Sequence, residues 1–248
     1  MYTEKIEIYS WFFVYKEWDK LKKNSIPDRP DRGFEESFRN YIYEKMKPYV
    51  MSDVRDMGFG LSYSSLSTVS HELDVICSKN YEKSIFELKH YSESKITKDM
   101  IFTFLGKVID YYLKNASDFA KYRITMYFVT INRNLDDSIR KLCLAYGIKL
   151  IEPSLMTLTV IGHFVSDLYQ KIPENHSLKP EIENLIEDII NLRNLYDYSF
   201  SDFFRYKDGK IEIDQALIGI DVNETLEKIK KCNNLFNEVR NKWNSRKN

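Results

Sequence analysis

Apolar residues recur along this chain with two different periods, and the switching between them outlines a fold. Phe34, Phe38, Ile42 and Met46 return every four residues, with Tyr41 and Tyr49 filling the stripe, which predicts an amphipathic helix. Asp31 is placed to cap it, and Glu35 and Glu36 suit a first turn where the helix dipole favours acids. Glu35 shares an edge with Phe38 and Ile42 and so borders the buried face; Glu36 groups with Asn40, Tyr43 and Lys47 on the wet side. Two short strand-like runs follow, HELDVIC at 71–77 and SIFELKH at 84–90, joined by the polar turn Lys79-Asn80-Tyr81-Glu82. Residues 97–113 return to helical spacing, with Ile101, Phe104, Leu105, Val108, Ile109 and Tyr112 on one face. The run RITMYFVTI at 123–131, rich in β-branched and aromatic residues, reads as a buried strand. A helix over 136–146 closes at Gly147, and a strand over 148–151 stops at Pro153.

Helix, hairpin, helix, strand, helix, strand is an α/β order. It predicts a mixed central β-sheet with helices on both faces. The flanks are less regular. Residues 1–24 gather Trp11, Phe12, Phe13, Tyr15 and Trp18 in a helical segment, and Ile26-Pro27-Asp28-Arg29-Pro30 breaks the chain before the core. Beyond Pro153 come helices over 154–170, 180–198 and 224–243, with Phe200, Phe203, Phe204 and Tyr206 leading into a strand at 210–213. Three regions are therefore expected: an N-terminal aromatic segment over 1–32, a core over 33–153, and a mainly helical C-terminal extension over 154–248. The last suits DNA contact, dimerisation or partner docking.

The hairpin breaks the apolar pattern in a telling way. Glu72, Asp74, Glu87 and Lys89 lie inside apolar runs, where charge is costly unless paired or bound to a metal. A turn symmetric about Lys79 and Glu82 sets Asp74 opposite Glu87 and Glu72 opposite Lys89. Alternation then points all four the same way. Opposed β-carbons lie about 5 Å apart, and carboxylates that close repel unless a cation lies between them. Such a pair suits a hard divalent cation such as Mg²⁺, which commonly takes one or two carboxylates plus a substrate phosphate. A neighbouring lysine can position a water or stabilise charge on the phosphate.

Glu-Leu-Asp at 72–74 followed by Glu-Leu-Lys at 87–89 resembles the active-site signature of the PD-(D/E)XK nucleases, which share the restriction-endonuclease-like fold. The resemblance implies that Asp74 and Glu87 hold Mg²⁺, with Mn²⁺ able to substitute, and that the backbone carbonyl of Leu88 is a further ligand. It places Lys89 beside the attacking water. Leu73 stands where a proline is common in that superfamily. Gly33-Phe34-Glu35-Glu36-Ser37-Phe38 is similar to the first helix of Mrr-type restriction endonucleases, which implies that Glu35 reaches the metal site. Glu72 is a further candidate ligand or second-ion residue. The implied activity is a Mg²⁺-dependent DNA endonuclease, restriction-type, leaving 5′-phosphate and 3′-hydroxyl ends; junction resolution or repair fits the same core. Two sites are ordinarily needed for double-strand cleavage, so a homodimer is expected. A reading of another class remains open: a non-catalytic module on a nuclease-like fold that binds nucleic acid or protein. Cleavage of RNA would use the same metal chemistry.

Composition narrows the classes. The 248 residues carry 37 basic and 37 acidic side chains, so no basic surplus marks a general nucleic-acid binder. Charge is unevenly spread: 181–227 holds 12 acidic and 4 basic residues, and 228–248 holds 7 basic and 1 acidic. The basic stretch reads as a helix end that complements its acidic neighbour. No apolar run approaches the roughly 20 residues needed to span a membrane, and no signal-peptide order is present. Cys77, Cys143 and Cys232 are too far apart for a zinc site or disulfide framework, which suggests a reducing, cytoplasmic setting. His71 and His90 flank the charged hairpin and His163 lies in an apolar helix, all expected in structural roles; His176 lies in a turn-like segment. Neither a nucleophile elbow nor an ATP-binding phosphate loop occurs.

Overall fold

The computed structural model describes residues 62–63, 65–79, 81–89, 95–130, 132, 135–152, 154–155, 158–196, 198–208, 210–214 and 221–245. The expected aromatic segment 1–32 and the helix carrying Glu35 lie outside the described residues. The described chain forms two compact units, one from residues between 62 and 154 with 198–214, the other from 155–196 with 221–245.

The first unit is built on a mixed four-stranded sheet. Strands β1 (Ser62–Tyr63) and β2 (His71–Glu72) form a separate short antiparallel pair. Strands β3 (Val75–Lys79) and β4 (Glu82–Lys89) form the hairpin, with Val75 opposite Phe86 and Lys79 opposite Glu82. Helices α1 (Lys98–Lys114) and α2 (Ala116–Lys121) cross to β5 (Arg123–Thr130), which runs parallel to β4. Helix α3 (Asp137–Ala145) then leads to β6 (Ile148–Ile151), parallel to β5. The strand order is β3-β4-β5-β6, and parallel neighbours require such helical crossovers.

The periods explain the layers. The α1 stripe buries Ile101, Phe104, Leu105, Val108, Tyr111 and Tyr112. These residues meet Leu73, Ile76, Ile85, Ile124, Met126 and Phe128 in one core that also takes in Ile139 and Cys143 of α3. The opposite sheet face is buried too: Phe86 and Tyr127 stack at 4.7 Å, and Leu88 and Val129 are fully covered. Strands apolar on both faces read as continuous hydrophobic runs, as β5 does. Each such large side chain contributes about 1.5–3 kcal/mol on burial.

Helix ends are set by single residues. The Asp136 carboxylate accepts the Ser138 N–H at 2.7 Å and caps α3. Gly147 ends the same helix region with φ +63°, in the left-handed region, and a β-carbon there would lie 2.7 Å from the Phe203 ring.

Helix α4 (Leu158–Lys171), α5 (Lys179–Tyr196) and the long α7 (Val222–Ser245) make the second unit. Ile161, Val165, Ile182, Leu185 and Ile189 are buried, as are Leu226, Cys232, Phe236 and Val239 of α7. Lys242 reaches Glu181 at 2.7 Å, so the basic C-terminal helix does complement the acidic segment before it.

Helix α6 (Phe200–Phe203) and the hairpin β7 (Phe204–Lys207) with β8 (Lys210–Ile213) belong to the sheet unit, which divides the expected 154–248 extension. The reason is aromatic. Phe200 is fully buried, 5.9 Å from Tyr112 and 4.6 Å from Phe204 between ring centres. Arg123 anchors Asp202 at 3.0 Å, and the Ile124 N–H donates to the Ser201 hydroxyl. No described helix is long and apolar enough to cross a membrane.

Candidate active site

Strand β4 carries Glu87, Leu88 and Lys89 in succession, and alternation puts Glu87 and Lys89 on the face covered by α1. Glu87 lies beside Phe128 in the parallel register and is 2% exposed. Its Oε1 accepts from Lys89 Nζ at 2.7 Å and from Lys107 Nζ of α1 at 3.3 Å. Its Oε2 is buried and has no hydrogen-bond partner. An unmet buried acceptor costs about 1–3 kcal/mol, and more when charged. Such a group in a native core needs a reason.

Asp74 stands one residue before β3, next to the last hairpin pair, Val75 with Phe86. It is 7% exposed, and its Oδ2 accepts the Leu88 N–H at 2.7 Å. A buried carboxylate is thereby fixed on the backbone between Glu87 and Lys89. The structure brings Asp74, Glu87, Leu88 and Lys89 together at the C-terminal end of β4.

Glu72 is not part of this group. The strand pairing breaks at Leu73 and Asp74, so Glu72 pairs with Ser62 in β2 rather than with Lys89, and its side chain is exposed. The expectation that Glu72 lies opposite Lys89 is therefore corrected. Glu35 and His90 lie outside the described residues. Lys107 was not expected here. It sits three residues beyond Phe104 at the border of the apolar stripe, and that border position was the available signal.

No group of three or more His, Cys, Asp or Glu is gathered for a metal among the described residues. The oxygen donors on offer are the carboxylates of Asp74 and Glu87, with the Leu88 main-chain carbonyl the further ligand that the resemblance implies. That set fits Mg²⁺, which is usually held by one or two carboxylates with waters and substrate phosphates completing the octahedron. The orphaned Oε2 of Glu87 supplies an oxygen with lone pairs to share.

His71 and the nearby serines serve structure. Asp110 of α1 accepts from the Ser67 hydroxyl, from the Ser67 N–H at 2.9 Å, and pairs with His71 Nε2 at 2.8 Å. The Ser67 hydroxyl, with His71 and the Ser67 amide adding to it, holds the Asp110 carboxyl well below the usual range against some desolvation. Ser67 and His71 both engage Asp110, so they form a loop clamp and not a nucleophile–base relay. His176 packs edge-on to Trp243 at 5.6 Å. At the far end of β6, buried Glu152 takes both arms of the Arg140 guanidinium at 2.6 and 2.8 Å. Burial pushes Glu152 up and Arg140 pulls it part of the way back, while Glu152 holds Arg140 charged. Cys143 and Cys232 are buried free thiols, both pushed up by burial.

No family model matches the chain, and neither does any curated protein. Among solved structures, a protein of unknown function designated AF1548 matches 82% of this chain and 98% of its own, with 12% identity and a TM-score of 0.38. No activity follows from a likeness so distant.

Proposed function

We propose that the sheet unit is a restriction-endonuclease-like core and that the chain is a Mg²⁺-dependent DNA endonuclease of the PD-(D/E)XK type. The observation that supports this reading above all is the buried, unpartnered Oε2 of Glu87, whose Oε1 meets two ammonium groups while the next residue's N–H holds Asp74. Ordinary core packing gives no reason for that concentration of charge.

In this reading Asp74, Glu87 and the Leu88 carbonyl hold the divalent cation. When bound, it supplies Lewis-acid polarisation of the phosphate and of a water. Lys89, 2.7 Å from Glu87, is fixed by that contact so that its Nζ can donate to the attacking water and orient it toward phosphorus. The P–O3′ bond breaks, the departing 3′ oxygen takes up a proton, and the other product keeps a 5′-phosphate. Asp74 is oriented toward this centre by the Leu88 N–H, which donates to its Oδ2. Glu35 is the remaining acid proposed for this centre. A cytoplasmic homodimer acting on DNA, by restriction or at branched DNA in repair, completes the proposal.

The test is cleavage by variants. Asp74→Ala and Lys89→Ala are each expected to abolish Mg²⁺-dependent cutting of duplex and branched DNA, with circular dichroism unchanged. Undiminished cutting by both variants would sink the assignment. A second reading has its own support: Lys89 and Lys107 already neutralise Glu87, as they would in a non-catalytic nucleic-acid or protein-binding module. DNA bound without any cutting, whatever the cation, is the outcome that reading requires.

A further inference from the structure

Lys107 is the group at this centre that the nuclease signature does not account for. It comes from helix α1, not from the hairpin, and reaches a carboxylate whose side chain is only 3% exposed. Lys89 already meets the same Oε1 at the shorter distance of 2.7 Å. Two ammonium groups on one oxygen repel each other, so the second is retained at a cost unless it has another role. The neighbouring turns of α1 fix where it acts. Phe104 and Val108 are locked in the core, and Asp110, one turn on, is clamped by Ser67 and His71. The Lys107 backbone is thus rigid, while its four-carbon stem is free to swing.

Charge balance indicates the role. Among the described residues of the centre, two carboxylates, Asp74 and Glu87, match two ammonium groups, Lys89 and Lys107. A divalent cation at the carboxylates gives the cluster surplus positive charge, which suits a phosphodiester. That cation, at Oε2, and Lys107, at Oε1, draw on the single charge of one carboxylate, so binding of one weakens the hold of the other. Resting on the nuclease reading, we propose that Lys107 is a substrate-positioning residue that competes with the divalent cation for Glu87 and, once displaced, contacts the DNA phosphate. It would pull the phosphodiester toward the cation from the helix side, opposite the strand-borne Lys89.

The measurement pairs two affinities. Mn²⁺ binding by calorimetry to Lys107→Gln, without DNA, is expected to be roughly two- to fivefold tighter than to wild type, the range of one modest ion pair. Binding of labelled duplex DNA in CaCl₂ is expected to weaken several-fold, with the salt dependence lowered by about one phosphate contact. Lys107→Arg should restore DNA binding. Lys98→Gln removes the charge at the exposed first residue of the same helix and should change neither. Mn²⁺ affinity unchanged or weaker in Lys107→Gln, or DNA affinity unchanged, overturns the proposal. A further variant separates the two ideas. Mn²⁺ binding lost in Glu87→Gln, with no effect of Lys107→Gln, removes only the role of Lys107. Absence of Mn²⁺ binding in wild type removes the nuclease reading and this inference with it.

Discussion

Glu87 shows how one residue can carry opposite demands. Its place in β4 points it into an apolar layer with Phe128, yet it is ionisable and only half satisfied. Asp110 represents the ordinary solution, a carboxylate whose acceptors are filled by Ser67 and His71. The sign of its effect on stability follows. Its folded pKa is depressed, so it stabilises the fold above the unfolded value of about 3.9, and that contribution is lost as pH falls below it. Urea unfolding should therefore show the midpoint falling between about pH 4 and about pH 2. Asp110→Asn should lower the midpoint at neutral pH and flatten this acid-side fall; an equally steep fall in the variant would show that Asp110 is not its source.

At the scale of elements, the hydrophobic periods of α1, α3, β5 and β6 were legible because each buries one recognisable face or run. The hairpin register was legible as well, since a short polar turn leaves few ways to pair the strands. Two-residue strands such as β1 and β2 carry no period, so the break that turns Glu72 away from Lys89 left no mark in the pattern. Helix α2, six residues long, has no stripe either. Lys107 was missed because a polar residue at a stripe border usually faces water, and only the packing of α1 on the sheet brings it to Glu87. Gly147, in contrast, was readable as a helix end. Replacing it with alanine is expected to cost about 2–4 kcal/mol, from left-handed strain and the clash with Phe203, as measured by denaturant unfolding. A loss below about 0.5 kcal/mol would mean that Phe203 moves aside freely.

For the whole molecule, two units with separate cores divide the work. The sheet unit carries every described residue of the candidate centre, and 198–214 is tied to it through Phe200 and the Arg123–Asp202 pair. The three-helix unit spends its charge on its own ion pairs, Lys242 with Glu181 and Lys230 with Glu227. On a chain with no net charge, whose described centre pairs two carboxylates with two lysines, a bound ion would supply the attraction for phosphate. Everything in this reading depends on whether Asp74 and Glu87 are built to hold a divalent cation. Thermal unfolding of wild type and Glu87→Gln, with increasing MgCl₂ or MnCl₂ against EDTA, tests that directly. The wild type should gain about 2.7 kcal/mol at an ion concentration 100 times its dissociation constant, while Glu87→Gln gains nothing over its own stability in EDTA. No ion-dependent rise in the wild type, or the same rise in the variant, would contradict it.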